Sequence, residues 1–108
     1  INNTADAIAN YRYSGSSLTL TSFAAGGSLP RGIARPLTWK ANNLGGNVRI
    51  EVSRNGGLTW TTVVASTPND GNEPVAVWGA ASRRAWLRVV SIDSPTVSDT
   101  STGAVYLR

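Results

Sequence analysis

Between Asn47 and Ser66 the chain reads NVRIEVSRNGGLTWTTVVAS, two strand-like runs around Asn55-Gly56-Gly57. In the first run Val48, Ile50 and Val52 fall on one side and Arg49 and Glu51 on the other, the period of two of a strand with one buried face. Asn and Gly accept the positive φ values of tight hairpin turns at small steric cost. The following Thr59-Trp60 supplies a hydroxyl and a flat ring that can cover the turn. A chain built this way is committed to antiparallel strands.

The same alternation recurs on both sides. SLTLTSF places Leu18 and Leu20 together, and AAGGSLPRG then breaks the pattern with glycine and proline. IARPLTWKA directs Ile33, Leu37 and Trp39 to a core, with the strand proper beginning after Pro36. NNLGG turns, TPNDGNEP forms a turn-rich loop, and VAVW is a short strand. AWLRVVSI puts Leu87 and Val89 inward, leaving Trp86, Arg88 and Val90 on an outward face that Trp78 could neighbour. DSPTVSDTSTG is a polar connection, and AVYLR closes the domain with Val105 and Leu107 inward. About seven short strands at roughly ten-residue spacing predict a β-sandwich. Connections too short for crossover helices predict an antiparallel one. The expectation is an all-β, seven-stranded antiparallel sandwich over residues 17–108.

Residues 1–16, INNTADAIANYRYSGS, differ in composition and alternate only weakly, with Ala7, Ala9, Tyr11 and Tyr13 on one side. They read as a linker, a tail, or an assembly strand that completes a neighbour's sheet. Asn2-Asn3-Thr4 fits the N-glycosylation pattern, with Asn2 as acceptor.

Composition narrows the functional classes. The 108 residues suit one domain, and 41% apolar content suits a folded one. There is no Cys, so disulfides and thiolate metal sites are excluded, and no His, the commonest general base and metal ligand. There is no Met either, so Ile1 reads as a start left by processing or by excision from a larger protein. The net charge is +4, but the arginines are scattered and form no tract, which argues against a nucleic-acid partner. No window approaches the ~18 apolar residues of a membrane span, so no membrane insertion is expected.

Without His, a Ser-His-acid triad is impossible. A Ser-Lys pair would rest on Lys40, which follows a core Trp. The carboxylates are Asp6, Glu51, Asp70, Glu73, Asp93 and Asp99; Glu51 faces outward on a strand and the others lie mostly in loops. No enzyme, cofactor or resident metal is expected. Asn69, Asp70, Asn72 and Glu73 offer oxygen ligands for calcium, with an Asp-Gly corner loop as the competing explanation. Asp93 and Asp99 could form a second weak site or bond to nearby backbone. Trp60, Trp78 and Trp86 are candidates for a carbohydrate platform, since a sugar's C–H face packs on a flat ring; Trp39 reads as core.

Ser53, Asn55, Gly57, Thr59 and Trp60 resemble the Asp-box of sialidases and related β-propellers, Ser-x-Asp-x-Gly-x-Thr-Trp, with Asn in place of Asp and in one copy. In those families the box is a structural hairpin, so the resemblance implies a turn and not hydrolysis. More broadly, residues 17–108 are similar to the Ig-like and fibronectin-III-like modules of secreted bacterial proteins. The resemblance is carried by Leu37-Thr38-Trp39, the Val48–Trp60 hairpin, the Leu87–Ser91 strand and the Asp93–Ser101 phrase. It implies a non-catalytic, secreted or cell-surface structural or adhesive module, acting as a spacer or as a subunit of an assembly. Its partners would be other domains of the parent protein or other copies of itself. The alternative is a carbohydrate-binding accessory module of a secreted enzyme, with a polysaccharide partner.

Overall fold

The computed structural model describes residues 16–108. Asn2 and the proposed assembly strand at Ala7, Ala9, Tyr11 and Tyr13 lie outside the described residues. Among the described residues there are nine strands and no helix: β1 Ser17–Leu20, β2 Gly27–Leu29, β3 Arg35–Asn42, β4 Asn47–Ser53, β5 Thr61–Pro68, β6 Asn72–Val75, β7 Ser82–Ser91, β8 Ser98–Thr100 and β9 Val105–Leu107. A small sheet has the order β1-β3-β6, and a larger one the order β2-β9-β7-β4-β5, with β8 alongside β7.

The all-β expectation is correct, and two sheets form a sandwich-like pair, but the strand count and the antiparallel rule need correcting. The two extra strands, β2 and β8, come from segments read as connections. Each is three residues long, and the pattern of neither Gly27-Ser28-Leu29 nor Ser98-Asp99-Thr100 distinguishes it from a loop. β2 also pairs parallel with β9, Gly27 opposite Val105 and Leu29 opposite Leu107, so the larger sheet is mixed.

The core follows the period of two. Leu18, Leu20, Leu37, Trp39 and Val75 of the small sheet meet Val48, Ile50, Val52, Leu87, Val89, Val105 and Leu107 of the larger one, all buried. Ile33 does not join them and is 49% exposed. Its N–H bonds to Pro30 O within a turn, and β3 starts only at Arg35. Pro36 lies inside β3, directly opposite Pro74 of β6. Two prolines can face each other only where neither owes the other an N–H bond. On its other side β3 meets β1 only from Trp39 onward, so no neighbour there needs the missing donor.

VAVW is likewise displaced. The strand is Asn72–Val75, and the turn before it shrinks to Asn69–Gly71. Thr67 Oγ1 donates to Glu73 Oε1 (2.7 Å) across this crossing, and Trp39 Nε1 donates to Asn69 Oδ1 (2.7 Å). These bonds close the sandwich at one end of β5 and β6.

The hairpin between β4 and β5 is organised by side chains. Ser53 Oγ donates to Asn55 Oδ1 (2.8 Å) and accepts the Gly57 N–H (2.8 Å). Asn55 Oδ1 also accepts the Thr59 N–H (2.9 Å), and its Nδ2 donates to Thr59 Oγ1 (2.7 Å). Gly56 and Gly57 take φ of 74° and 92°. Asn55 thus satisfies the loop as an Asp could, except that the Thr59 hydroxyl would then turn to donate. Asn55→Ala is expected to cost about 1–3 kcal/mol and Asn55→Asp less than about 1 kcal/mol. Urea unfolding of the two variants checks this, and equal losses would show that the carbonyl acceptor is not the organising group.

Candidate functional site

The outward face of the larger sheet carries two of the three tryptophans singled out from sequence, Trp60 and Trp86. Register sets Ser53 opposite Trp86, Glu51 opposite Arg88 and Arg49 opposite Val90 on β4 and β7. Thr62 of β5 faces Glu51 from the other side. Strand alternation therefore collects Arg49, Glu51, Trp86 and Arg88 on one surface, beside Trp60 at the start of β5.

Glu51 faces outward as expected, but it is not open to solvent: the residue is 8% exposed. Arg88 Nε (2.9 Å) and Nη2 (2.6 Å) both donate to its Oε1, and Arg49 Nε (3.2 Å) donates to Oε2. Both oxygens are occupied, so Glu51 organises arginines and offers no free base. The Arg88 guanidinium also lies 3.8 Å from the centroid of the Trp60 ring. With both arginine side chains about a third exposed (36% and 27%), each ion pair contributes on the order of 1 kcal/mol or less. Their larger effect is to fix the geometry of the face. Val90 shares that face but is buried, against the expectation that it points to solvent.

Trp60 and Trp86 come together across Gly57. A Cβ added there would lie 3.4 Å from Trp86 Cε3 and Cζ3 and 4.0 Å from Trp60 Cζ2. Both rings are half-buried. Trp78 belongs elsewhere: its ring packs on Gly32, and it is 72% exposed. Beside it a cleft of about 200 Å³ opens between β5 and the Val75–Trp78 segment, floored by Val52, Val63 and Val77 and rimmed by Arg54, Thr61 and Thr62.

Sequence reasoning did not single out Arg31, Gly32 or Arg54, which hold this corner. Their bonds go to backbone carbonyls, which leave no trace in residue type. Arg83 stacking at 4.7 Å on the Tyr106 ring was equally invisible.

Three of the other carboxylates accept hydrogen bonds within the fold. Asp70 Oδ1 accepts the Asn72 N–H (3.2 Å), Glu73 accepts Thr67, and Asp99 Oδ2 accepts the Leu20 N–H (2.7 Å) at the edge of β1. Asp93 is exposed near Gly46. Among the described residues no three acidic, His or Cys side chains gather where they could hold a metal ion. No helix of the described residues is long and apolar enough to cross a membrane. No family model, curated protein or solved structure matches the chain.

Proposed function

We propose that residues 17–108 are an Ig-like, fibronectin-III-like module of a secreted or cell-surface protein. In this reading the module is non-catalytic, and it serves as a spacer or as a subunit of an extracellular assembly. The strand order supports it: the chain leaves the small sheet after β1, crosses to the larger sheet as β2 beside the last strand, and returns as β3.

The observation that carries the assembly role is the edge formed by β5. This strand has eight residues, TTVVASTP, with no charged side chain and with its proline, Pro68, only at the last position; its pairing with β4 is bulged near Ile50, and it ends the larger sheet. The remaining edges are blunted. Asp99 caps the Leu20 N–H of β1, β2 has three residues, and β6 carries Pro74. An open, uncharged edge accepts an extended segment through main-chain hydrogen bonds. Residues 1–16 of another copy, or a strand of a neighbouring domain, are the proposed donors.

Lysines at the exposed Ala65 and Ser66 would blunt this edge. The full chain is expected to elute larger with rising concentration in size-exclusion chromatography, and the Ala65→Lys/Ser66→Lys protein to stay monomeric. Identical elution of the two would remove β5 from the account. A carbohydrate-binding accessory role is the second reading, favoured by the exposure of Trp78.

A further inference from the structure

We propose that the cleft beside Trp78 is a binding subsite for an acidic sugar, one uronate unit of a polysaccharide. The proposal rests on the carbohydrate-binding reading and not on the assembly role of β5.

The first observation is how firmly an exposed ring is held. Four successive backbone carbonyls around it are all engaged. Gly32 N–H donates to Val77 O (2.8 Å), Arg54 Nη2 to Trp78 O, Arg31 Nη1 to Gly79 O (2.8 Å), and Arg54 Nε to Ala80 O (3.0 Å). The indole also occupies the space a side chain on Gly32 would need: a Cβ there would lie 2.8 Å from Trp78 Cζ3 and 2.9 Å from Cη2. With 72% of the residue in water, little of this order is repaid by burial of the ring. A ring fixed in advance and left uncovered loses little freedom on stacking against a ligand.

The second observation is the chemistry around it. Val52, Val63 and Val77 give the cleft an apolar lining, which Thr61 and Thr62 of β5 also join. Neither threonine hydroxyl has a hydrogen-bond partner among the described residues. None of the lining residues is acidic. Arg54 lines the cleft and keeps Nη1 free of protein partners among the described residues; Arg31 lies outside the lining, bonds the neighbouring Gly79 O, and keeps Nε and Nη2 free of protein partners among the described residues. An aromatic wall suits the C–H face of a pyranose. Threonine hydroxyls suit its O–H groups, and a guanidinium group with free N–H donors suits a carboxylate. A neutral sugar would leave the arginines unused, and an apolar peptide side chain would leave the threonines unused as well.

The test is isothermal titration calorimetry of the full chain with polygalacturonate fragments, neutral cello-oligosaccharides and polyglutamate. Saturable binding of polygalacturonate is expected, with the other two at least about tenfold weaker. Trp78→Ala is expected to weaken it about tenfold, Trp78→Phe to retain most of it, and Arg31→Gln to weaken the acidic ligand alone. Because Trp78 is exposed, its replacement should leave the thermal midpoint unchanged, so lost binding is not lost folding. Equal affinity for cello-oligosaccharides would overturn the uronate assignment while sparing the carbohydrate reading. Equal affinity for polyglutamate would reduce the site to charge alone. Undiminished binding by Trp78→Ala, no binding of any saccharide, or capture of an extended peptide in its place would each overturn the proposal.

Discussion

Trp39→Ala is expected to lower the free energy of unfolding by about 3–5 kcal/mol, the range for removing a buried large aromatic side chain. Trp39 is 4% exposed, sits opposite Leu20 across β1 and β3, and belongs to the core shared by both sheets. It also ties the β5–β6 crossing through the bond from Nε1 to Asn69 Oδ1, and Asn69 Nδ2 continues to Leu44 O (3.0 Å). Removing the ring therefore opens a cavity and frees the turn that carries the chain between sheets. Trp39→Phe separates the two effects: it keeps most of the volume, leaves Asn69 Oδ1 without its donor, and should cost about 1–3 kcal/mol. Domains of this size have only about 5–15 kcal/mol in total, so the alanine variant approaches unfolding at room temperature. Urea titrations with an unchanged slope measure both values, and a loss under about 1 kcal/mol for the alanine variant would contradict the packing described.

Gly103→Ala is expected to cost about 3 kcal/mol, the upper end of ordinary overpacking, because backbone meets backbone there. After Thr100 the last strand leaves β7 and rejoins it as β9, and the gap between receives the β1–β2 crossing. Thr102 donates from both its N–H (2.6 Å) and Oγ1 (2.9 Å) to Ala24 O. Ser101 exchanges bonds with the Leu87 backbone, N–H to O at 2.8 Å and Oγ from N–H at 3.1 Å. A Cβ on Gly103 would fall inside contact distance of the Ala25 carbonyl and 3.1 Å from Gly26 N, with no flexible side chain to give way. The thermal midpoint should fall by on the order of 10–20 °C. Amide exchange should show β2 and β9 losing protection before β4 and β7, since the parallel pair depends on this crossing. An unchanged midpoint would mean that the two loops do not pack as described.

What could be read from the sequence was whatever alternation dictates. Val48, Ile50 and Val52 bracketed by Arg49 and Glu51 give strand, face and core together, and the hairpin chemistry of Ser53, Asn55, Gly57 and Thr59 is written in residue types. β2 and β8 were illegible because a three-residue strand is specified by its neighbours and not by its own pattern. Ile33 misled because its apolarity matched the period, while the Pro30–Ile33 turn delays the strand to Arg35. On the candidate site, alternation placed Trp86 and Arg88 on one face. It could not reveal that Arg88 spans Glu51 to reach Trp60, because that contact crosses three strands. Trp78 was legible as a candidate platform ring, but not in its place apart from Trp60 and Trp86. Its position depends on Arg31 and Arg54 bonding to carbonyls, which any nearby arginine can do.

The most direct measurement of the central claim, that this sandwich is an assembling structural module, is sedimentation velocity over a wide concentration range. The full chain is compared with a chain beginning at Ser17. If residues 1–16 donate a strand to the β5 edge of another copy, the full chain forms larger species as concentration rises, and the shortened chain remains a monomer throughout. Monomeric behaviour of both chains, or association of the shortened chain equal to that of the full one, would contradict the account.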